Sequence, residues 1–509
     1  MGKAAVVIMV LTVIVKISGF LRDIALSYFY GATGVSDAYL ISLTIPAVIF
    51  AFISVSITTS YIPLYTLIEK QKGQKYGITF SNNLLNILLI ICSIIVLFCV
   101  TFTEAIVKVF ASGFNGETLE LAVMFTRVSV IGVYFSVLMA VYRGYLNVKN
   151  KFAAPALVAL PNNLIILFAI FLSAISENLL VLAIGTLVGT VSQAAILVPY
   201  VYKEGFRPNL TLDIKDKYIK KFGIAAFPVI LGVSINEINV LIDRTIASRI
   251  VEGAISALDY SFRLTQFING TFAAAIAIAM YPVISKMVVE KNNKGLKKTI
   301  SNSINMVSII VIPITVITML FSEDIIKILY GRGAFDQTAI TLTAGTLFYY
   351  SIGILAYGYR EIITRAFFAN QDTKTPMVTA VYAMILNIIL NIILSKYMGT
   401  SGLALATSVA GIFGSVLLLL NYRKKIAEIN YKNIATITIK VTFASLIMGG
   451  VSYIIKVNLI ENINVFFALI ISVIIAFFIY FITLIVLEVK EVKEITNIIQ
   501  KKVIRRKEK

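Results

Sequence analysis

Arg22 and Asp23 stand side by side between the apolar runs Ala4–Val15 and Ile24–Tyr30, with Lys16 just upstream and Asp37 opening the next apolar run. A charge at the bilayer centre costs roughly 3 kcal/mol on insertion scales, so a span that keeps several holds them around a polar cavity. Guanidinium and ammonium groups bind anions through charge-assisted hydrogen bonds. The cationic excess implies that an anion passes through that cavity. Further charges lie in apolar surroundings: Asp243 and Arg244, Asp259 and Arg263, then Arg360, Glu361 and Arg365. Asp259 and Arg263 are four apart with the acid first, the favourable order for a helical ion pair. Structural pairing, or snorkelling of helix-end residues to the headgroups, is the competing reading, and it suits Arg244 and Arg365. Arg22 has no helix end beside it, and a cavity-facing role suits it better.

Asn387 and Asn391 share one helix face, with Thr407 their expected neighbour on the following helix. Interhelical hydrogen bonding explains them; a hard-cation site completed by Asp243 is the sharper alternative. Gly19, and Pro228 with Gly232 in the corresponding helix of the second half, read either as packing positions or as hinges for alternating access. The chain has no histidine, which excludes an imidazole base, ligand or pH switch. Cys92 and Cys99 lie on one helix about 10 Å apart, too far for an unstrained disulfide, and are packing residues. Gly331-Arg332-Gly333 follows no strand and lacks the lysine–hydroxyl ending of a nucleotide loop.

The elements that must position these residues are membrane helices. Hydrophobic residues make up 59% and charged residues 14%, and the mean hydropathy is +0.90, which excludes an ordinary soluble domain. Long non-alternating apolar runs are helical spans. Fourteen are predicted, over roughly 4–30, 36–68, 79–103, 119–147, 155–174, 179–202, 218–247, 255–285, 299–321, 337–368, 376–396, 401–422, 434–455 and 463–487. The fold class is an all-α polytopic membrane protein. Lysine-rich loops after the even-numbered spans place both termini in the cytoplasm. That distribution also accounts for the net charge of +19 without nucleic acid. The tail 488–509 spaces Val489, Val492, Ile495, Ile498 and Ile499 among lysines, the pattern of an interfacial helix on anionic membrane lipids.

The second half repeats the first at an offset of about 220 residues. Pro63 with Glu69–Gly73 returns as Pro282 with Glu290–Gly295, and Ile106-Val107-Lys108 as Ile325-Ile326-Lys327. Leu182-Ala183-Ile184-Gly185-Thr186 returns as Leu403-Ala404-Leu405-Ala406-Thr407. Six spans per copy give both copies one orientation, so two lobes related by a pseudo-two-fold axis along the membrane normal are expected. The expected divisions are an N-lobe over 1–203, a linker over 204–217, a C-lobe over 218–425, two extra helices over 434–487 and the tail.

Taken together the chain resembles the MurJ lipid II flippases, within the multidrug/oligosaccharidyl-lipid/polysaccharide exporter superfamily. The resemblance covers essentially the whole chain. It rests on Ser18-Gly19-Phe20-Leu21-Arg22-Asp23, Ser36-Asp37-Ala38-Tyr39, Asp243-Arg244-Thr245-Ile246-Ala247-Ser248, Leu329–Asp336 and Arg365–Pro376. It implies a fourteen-helix fold with a V-shaped cationic cavity, and a groove for the polyprenyl tail formed by the last two helices. The implied cargo is lipid II, the undecaprenyl-pyrophosphate-linked peptidoglycan precursor, carried by a monomeric transporter that is not an enzyme. The family's central arginines map onto Arg22 and Arg263, with Lys16 in a third arginine's place; its helix 2 acid maps onto Asp37 and its helix 8 serine onto Ser256. A sodium site of relatives would map to Asp243, Asn387, Asn391 and Thr407, with Asn391 where an acid is usual. No cofactor is implied beyond a coupling ion, and sodium, a proton and the membrane potential all stay open as energy source.

Two departures mark this chain: Pro46 is followed by Ala47-Val48-Ile49-Phe50 where relatives often have an arginine, and Phe262 precedes Arg263 where they often have an acid. Another polyprenyl-linked oligosaccharide, of O-antigen or teichuronic type, is the alternative cargo, and a MATE-like exporter the alternative transporter. A polyprenyl-phosphate transferase would need a carboxylate–metal cluster or a sizeable loop domain, and the longest polar loop is about twenty residues.

Overall fold

The computed structural model describes residues 2–426, 430–460, 463–489 and 491–492. Sixteen helices carry the described architecture: α1 (Gly2–Tyr30), α2 (Gly34–Lys72), α3 (Gln74–Thr101), α4 (Thr103–Phe110), α5 (Gly116–Ser129), α6 (Gly132–Val148), α7 (Ala153–Ser176) and α8 (Leu179–Lys203). They continue as α9 (Lys217–Ala247), α10 (Ala254–Val289), α11 (Asn293–Leu320), α12 (Ser322–Leu329), α13 (Gln337–Ala369), α14 (Lys374–Lys425), α15 (Tyr431–Ile460) and α16 (Val465–Val486). The described residues include no strand, as expected where lipid offers the backbone no hydrogen-bond partner.

Eleven of the described helices are long and apolar enough to cross a membrane, or twelve when α5 and α6, bent by 42° at their junction, make one span. The sequence predicts fourteen. α1, which carries Lys16, Arg22 and Asp23, is not among the eleven. α14 stands as one element of 52 residues, yet it bends at Gly399, whose φ of 56° and ψ of −133° are not helical.

The duplication is visible in the elements. α4 and α12, eight residues each, carry the matching segments Ile106–Lys108 and Ile325–Lys327. α2 and α10, the second helix of each repeat, both contain a five-residue π-helical segment, Ile57–Tyr61 in one and Asn269–Ala273 in the other.

The chain divides into two compact units. The first comprises 1–256 with 330–339, the second 257–329 with 340–509. The core of the first is aromatic: Tyr61 stacks on Phe80 at 5.9 Å, while Tyr65 and Phe206 each meet Tyr145 edge-on at 5.6 and 5.2 Å. Cys92 and Cys99 are free thiols buried in this core, in the packing role their spacing suggests.

In the second unit, one core joins Ile300, Ile304 and Val307 of α11 to Ile354 and Phe367 of α13 and Tyr422 of α14. Another joins α11, α15 and α16, where the Tyr480 hydroxyl donates to the Ile309 carbonyl at 2.6 Å. Val489 and Val492 are buried in that second core, and Asn305 Nδ2 donates to Glu491 Oε1 at 2.6 Å. The tail was expected to lay these two valines on lipid. Its start is instead held by protein, because the apolar surface of α11 and α15 takes up the same side chains. Ile495, Ile498 and Ile499 lie outside the described residues.

Candidate functional site

In the first unit, α1 places Arg22 between two partners. Its Nε and Nη2 donate to Asp23 Oδ1 at 3.1 and 2.8 Å, and Nη1 donates to Asn163 Oδ1 on α7 at 3.2 Å. Asn163 is itself fixed: its Nδ2 donates to Ser18 Oγ at 3.0 Å and to the Val15 carbonyl at 3.3 Å. Asp23 and Asn163 are buried, but the Arg22 side chain keeps 18% of its surface exposed. A guanidinium has five N–H donors in a rigid fork, so three bonds leave it donors for a ligand. Gly19 adjoins the same amide, and a Cβ there would stand 3.3 Å from Asn163 Nδ2. That is the close-packing reading of Gly19. Lys16, six residues earlier on α1, is exposed and makes no ion pair with the described residues.

Asp37 is in another situation. It is buried in the first turn of α2, with Oδ1 accepting from both the backbone N–H and the hydroxyl of Ser256 at 2.7 Å. Its Oδ2 accepts from the Gly253 N–H at 2.9 Å. A carboxylate at a helix start satisfies orphan N–H groups and faces the positive end of the helix dipole. Asp37 is therefore the cap of α10, supplied by a different helix. The exchange is reciprocal, because Glu252 Oε1 accepts from the Gly34 N–H at the start of α2 at 2.6 Å.

The motif Leu329–Asp336 has a structural role around Ala334, whose N–H donates to the Tyr28 carbonyl at the end of α1 at 2.8 Å. Gly31 and Gly333 both have positive φ, +62° and +64°. A Cβ at Gly333 would lie 2.2 Å from the Tyr28 carbonyl, so only glycine fits the approach. Asp336 Oδ1 accepts from the Ala339 N–H at 2.7 Å and starts α13. The other long motif ends similarly: Asp372 accepts from the Thr375 N–H at 2.9 Å and from its hydroxyl at 2.6 Å, with Lys425 Nζ 3.6 Å away. The Thr375 hydroxyl bond, with the Lys425 charge adding to it, holds the Asp372 carboxyl below the usual carboxylate range.

In the second unit, Arg263 Nε donates to Asp259 Oδ2 at 2.5 Å, one turn along α10. Arg365 forms the same type of pair with Glu361, through Nε at 3.0 Å and Nη2 at 2.7 Å. Arg360 is half-buried on the same helix. Pro228 lies inside the unbroken helix α9 with Gly232 one turn on. α9 is also the span least covered by the rest of the protein.

The polar trio of α14 does come together across the Gly399 bend. Asn387 Nδ2 donates to Thr407 Oγ1 at 3.3 Å, and Asn391 Nδ2 to Asn387 Oδ1 at 2.9 Å. Amide and hydroxyl oxygens suit a hard cation, but these three are neutral and engage one another. Asp243, the charged member of the expected set, belongs to the first unit, where its Oδ2 accepts from Asn239 at 3.4 Å.

Sequence reasoning missed Asn163 and Glu252. The pair Asn162-Asn163 inside an apolar run was the available signal for the first. Glu252 sits in a short turn and had none.

Comparison with known proteins fits this geometry. A family model described as lipid II flippase MurJ matches residues 26–474. A relative named probable lipid II flippase MurJ, from Buchnera aphidicola subsp. Baizongia pistaciae, is 30% identical over 431 residues, 83% of each chain. A relative of the same name from Thermotoga maritima is 26% identical over 461 residues, 90% of this chain and 92% of its own. The solved structure of a lipid II flippase MurJ in an inward closed conformation superposes with a TM-score of 0.82 at 27% identity, over 95% of this chain and 99% of that one. An inward-facing multidrug resistance MATE family transporter of the MOP superfamily shares the fold, with a TM-score of 0.70 at 14% identity over 83% and 98%. The family is one of transporters, not enzymes. With most of its length matched in order by the family model, this chain belongs to the MurJ lipid II flippase family.

Proposed function

We propose that this chain moves lipid II from the inner to the outer leaflet by alternating access, with Arg22 and Lys16 holding the diphosphate of the cargo. The observation that carries the reading is Arg22: a guanidinium inside a membrane helix, oriented by Asp23 and Asn163, with N–H donors to spare. A diphosphate carries about two negative charges and many acceptor oxygens, which a planar guanidinium matches. Lys16 adds an exposed ammonium. Such groups replace the hydration of the headgroup, while the polyprenyl chain stays in hydrocarbon and needs no polar support. Nothing is cleaved or joined, so no nucleophile is required.

Asp37 and Ser256 serve this cycle as a latch and not as ligands, since their hydrogen-bonding capacity is spent on each other and on Gly253. The lysine-rich loops support termini on the cytoplasmic side. Purified protein in vesicles containing labelled lipid II tests the reading through the rate of leaflet exchange. Wild type is expected to exchange the lipid, and Arg22→Lys to lose exchange at unchanged thermal stability. Normal exchange by that variant rejects the assignment. Rescue of a strain depleted of its own lipid II flippase separates this cargo from another polyprenyl-linked glycan.

A further inference from the structure

The segment 204–217, expected as a free polar linker, is laid along the first turns of α3 by three asparagines. Asn82 Nδ2 donates to the Arg207 carbonyl at 2.8 Å, and Asn86 Nδ2 to the carbonyls of Asn209 and Thr211 at 2.9 and 2.8 Å. Asn83 exchanges two bonds with the backbone of Asp213, each 2.8 Å. The segment is thereby pinned against α3 as a strap, with a tight turn at Leu210, where the Thr211 N–H donates to the Asn209 carbonyl at 2.9 Å, and another at Ile214. The side chains that the asparagines leave outward are Leu210, Leu212 and Ile214. These are 95%, 55% and 69% exposed. Three large aliphatic side chains facing outward from a fixed backbone need an apolar partner.

The charges around the strap say what that partner is. Lys72, Lys75, Arg207, Lys215, Lys217, Lys220 and Lys221 are all exposed. The neighbouring acids are engaged elsewhere. Asp216 Oδ1 caps α9 through the N–H groups of Tyr218 and Ile219, Asp213 Oδ1 accepts from the Lys215 N–H, and Glu204 pairs with Lys151 at 3.2 Å. Beneath the strap, a cavity of about 590 Å³ is lined by Gln74, Lys75, Thr79, Asn82, Arg207 and Asn209. The Arg207 guanidinium is fixed, 4.9 Å over the Tyr202 ring and bonded through Nη1 to the Tyr202 carbonyl at 2.8 Å. Two membrane spans, α3 and α9, begin at residues 74 and 217 on either side of the strap. The strap therefore runs at headgroup level.

We propose that this strap is an interfacial docking surface for anionic glycerophospholipid. The phosphodiester headgroup enters the cavity between Lys75 and Arg207, and Leu210, Leu212 and Ile214 sit in the first carbons of the acyl region. Apolar insertion combined with basic residues over an anionic leaflet is the general physics of such anchors. The inference rests on the positive-inside orientation, but not on which cargo is moved.

The absence of tryptophan from the chain makes the test direct. Leu210→Trp gives a single indole at a fully exposed position, where the fold does not depend on the native side chain. The full-length variant is reconstituted into phosphatidylcholine vesicles with and without phosphatidylglycerol, and its emission is read against brominated forms of each lipid. The expected result is blue-shifted emission, quenched more strongly by brominated phosphatidylglycerol than by brominated phosphatidylcholine. Lys75→Gln and Arg207→Gln should each reduce that preference about fivefold, the effect of one cation near an anionic surface. Red emission accessible to aqueous iodide overturns the docking surface. Blue emission with a preference unchanged in both glutamine variants overturns the headgroup assignment. Loss of the preference on adding inorganic phosphate makes the cavity a soluble-anion site and overturns the lipid as occupant.

Discussion

Asp37 and Ser256 share one carboxylate oxygen twice: Oδ1 accepts both the backbone N–H and the hydroxyl of the serine, each at 2.7 Å. The acid lies in the first turn of one helix and the serine in the first turn of another, 219 residues later. Two helix starts are thus tied at one atom. Asp37→Asn keeps the shape but offers an NH₂ group to an N–H that needs an acceptor, or loses the charge that favours the helix start. The expected loss is about 2 kcal/mol of stability, and about 1 kcal/mol for Ser256→Ala. Thermal unfolding in detergent ranks the two variants; equal midpoints to wild type would contradict the cap.

Asn163 is the positioning residue of Arg22 and gives the sharpest test of the anion reading. Asn163→Asp puts a second carboxylate where an amide oxygen now stands 3.2 Å from Nη1. Lipid exchange should fall at least tenfold, because the guanidinium is then neutralised twice over, and the unfolding midpoint should fall as well, because the new carboxylate faces the Val15 carbonyl to which Nδ2 now donates. Arg22→Ala behaves differently: removing one partner of a buried pair costs about 3–5 kcal/mol. The double variant Arg22→Ala with Asp23→Asn should recover much of that stability and none of the exchange.

Gly333→Ala is predicted to be among the most damaging single-methyl changes. The added carbon would meet the Tyr28 carbonyl at 2.2 Å, at a φ of +64°. A loss on the order of 3 kcal/mol is expected, read as reduced yield and a lowered midpoint. Gly116→Ala is the control: its φ is also positive, at +51°, but a Cβ there meets nothing within 4 Å.

Acid should loosen the start of α14. The Asp372 carboxyl is held below its usual range by the Thr375 hydroxyl, so its contribution is present above the unfolded value of about 3.9 and fades as the pH falls through the lower folded value. Hydrogen exchange at the Thr375 amide, followed between pH 5 and pH 3, should accelerate beyond the intrinsic rate. Asp372→Asn should remove that extra dependence.

Most of the spans, the ion pair of Asp259 with Arg263 and the shared face of Asn387 and Asn391 were legible, because helical periodicity fixes which residues share a face, whereas the count of fourteen exceeds the eleven or twelve spans among the described residues. Arg22 stood out for its cost in lipid. What held it did not: Asn163 lies 141 positions away, and only tertiary packing brings an amide to a guanidinium. Asp37 shows the opposite limit. Its residue type and membrane depth fit a binding site, yet three hydrogen bonds make it a cap, and no spacing rule tells a ligand carboxylate from a capping one. The tail illustrates a third limit. Val489 and Val492 form an apolar stripe, and a stripe is satisfied equally by lipid or by protein. The linker hid its strap because Leu210, Leu212 and Ile214 alternate with polar residues in a stretch too short to read as a strand.

The five-residue segments Ile57–Tyr61 and Asn269–Ala273 have a mechanical consequence. Each stores one residue more than regular winding uses. Sliding such a surplus by a single position turns the stretch it crosses by about 100° about its axis and leaves the rest of the ladder intact. A long rod with a wrinkle of this kind can swivel one end against the other at the expense of a few hydrogen bonds, where a rod without one would have to snap or move whole. α2 and α10 each possess such a swivel, inherited in duplicate.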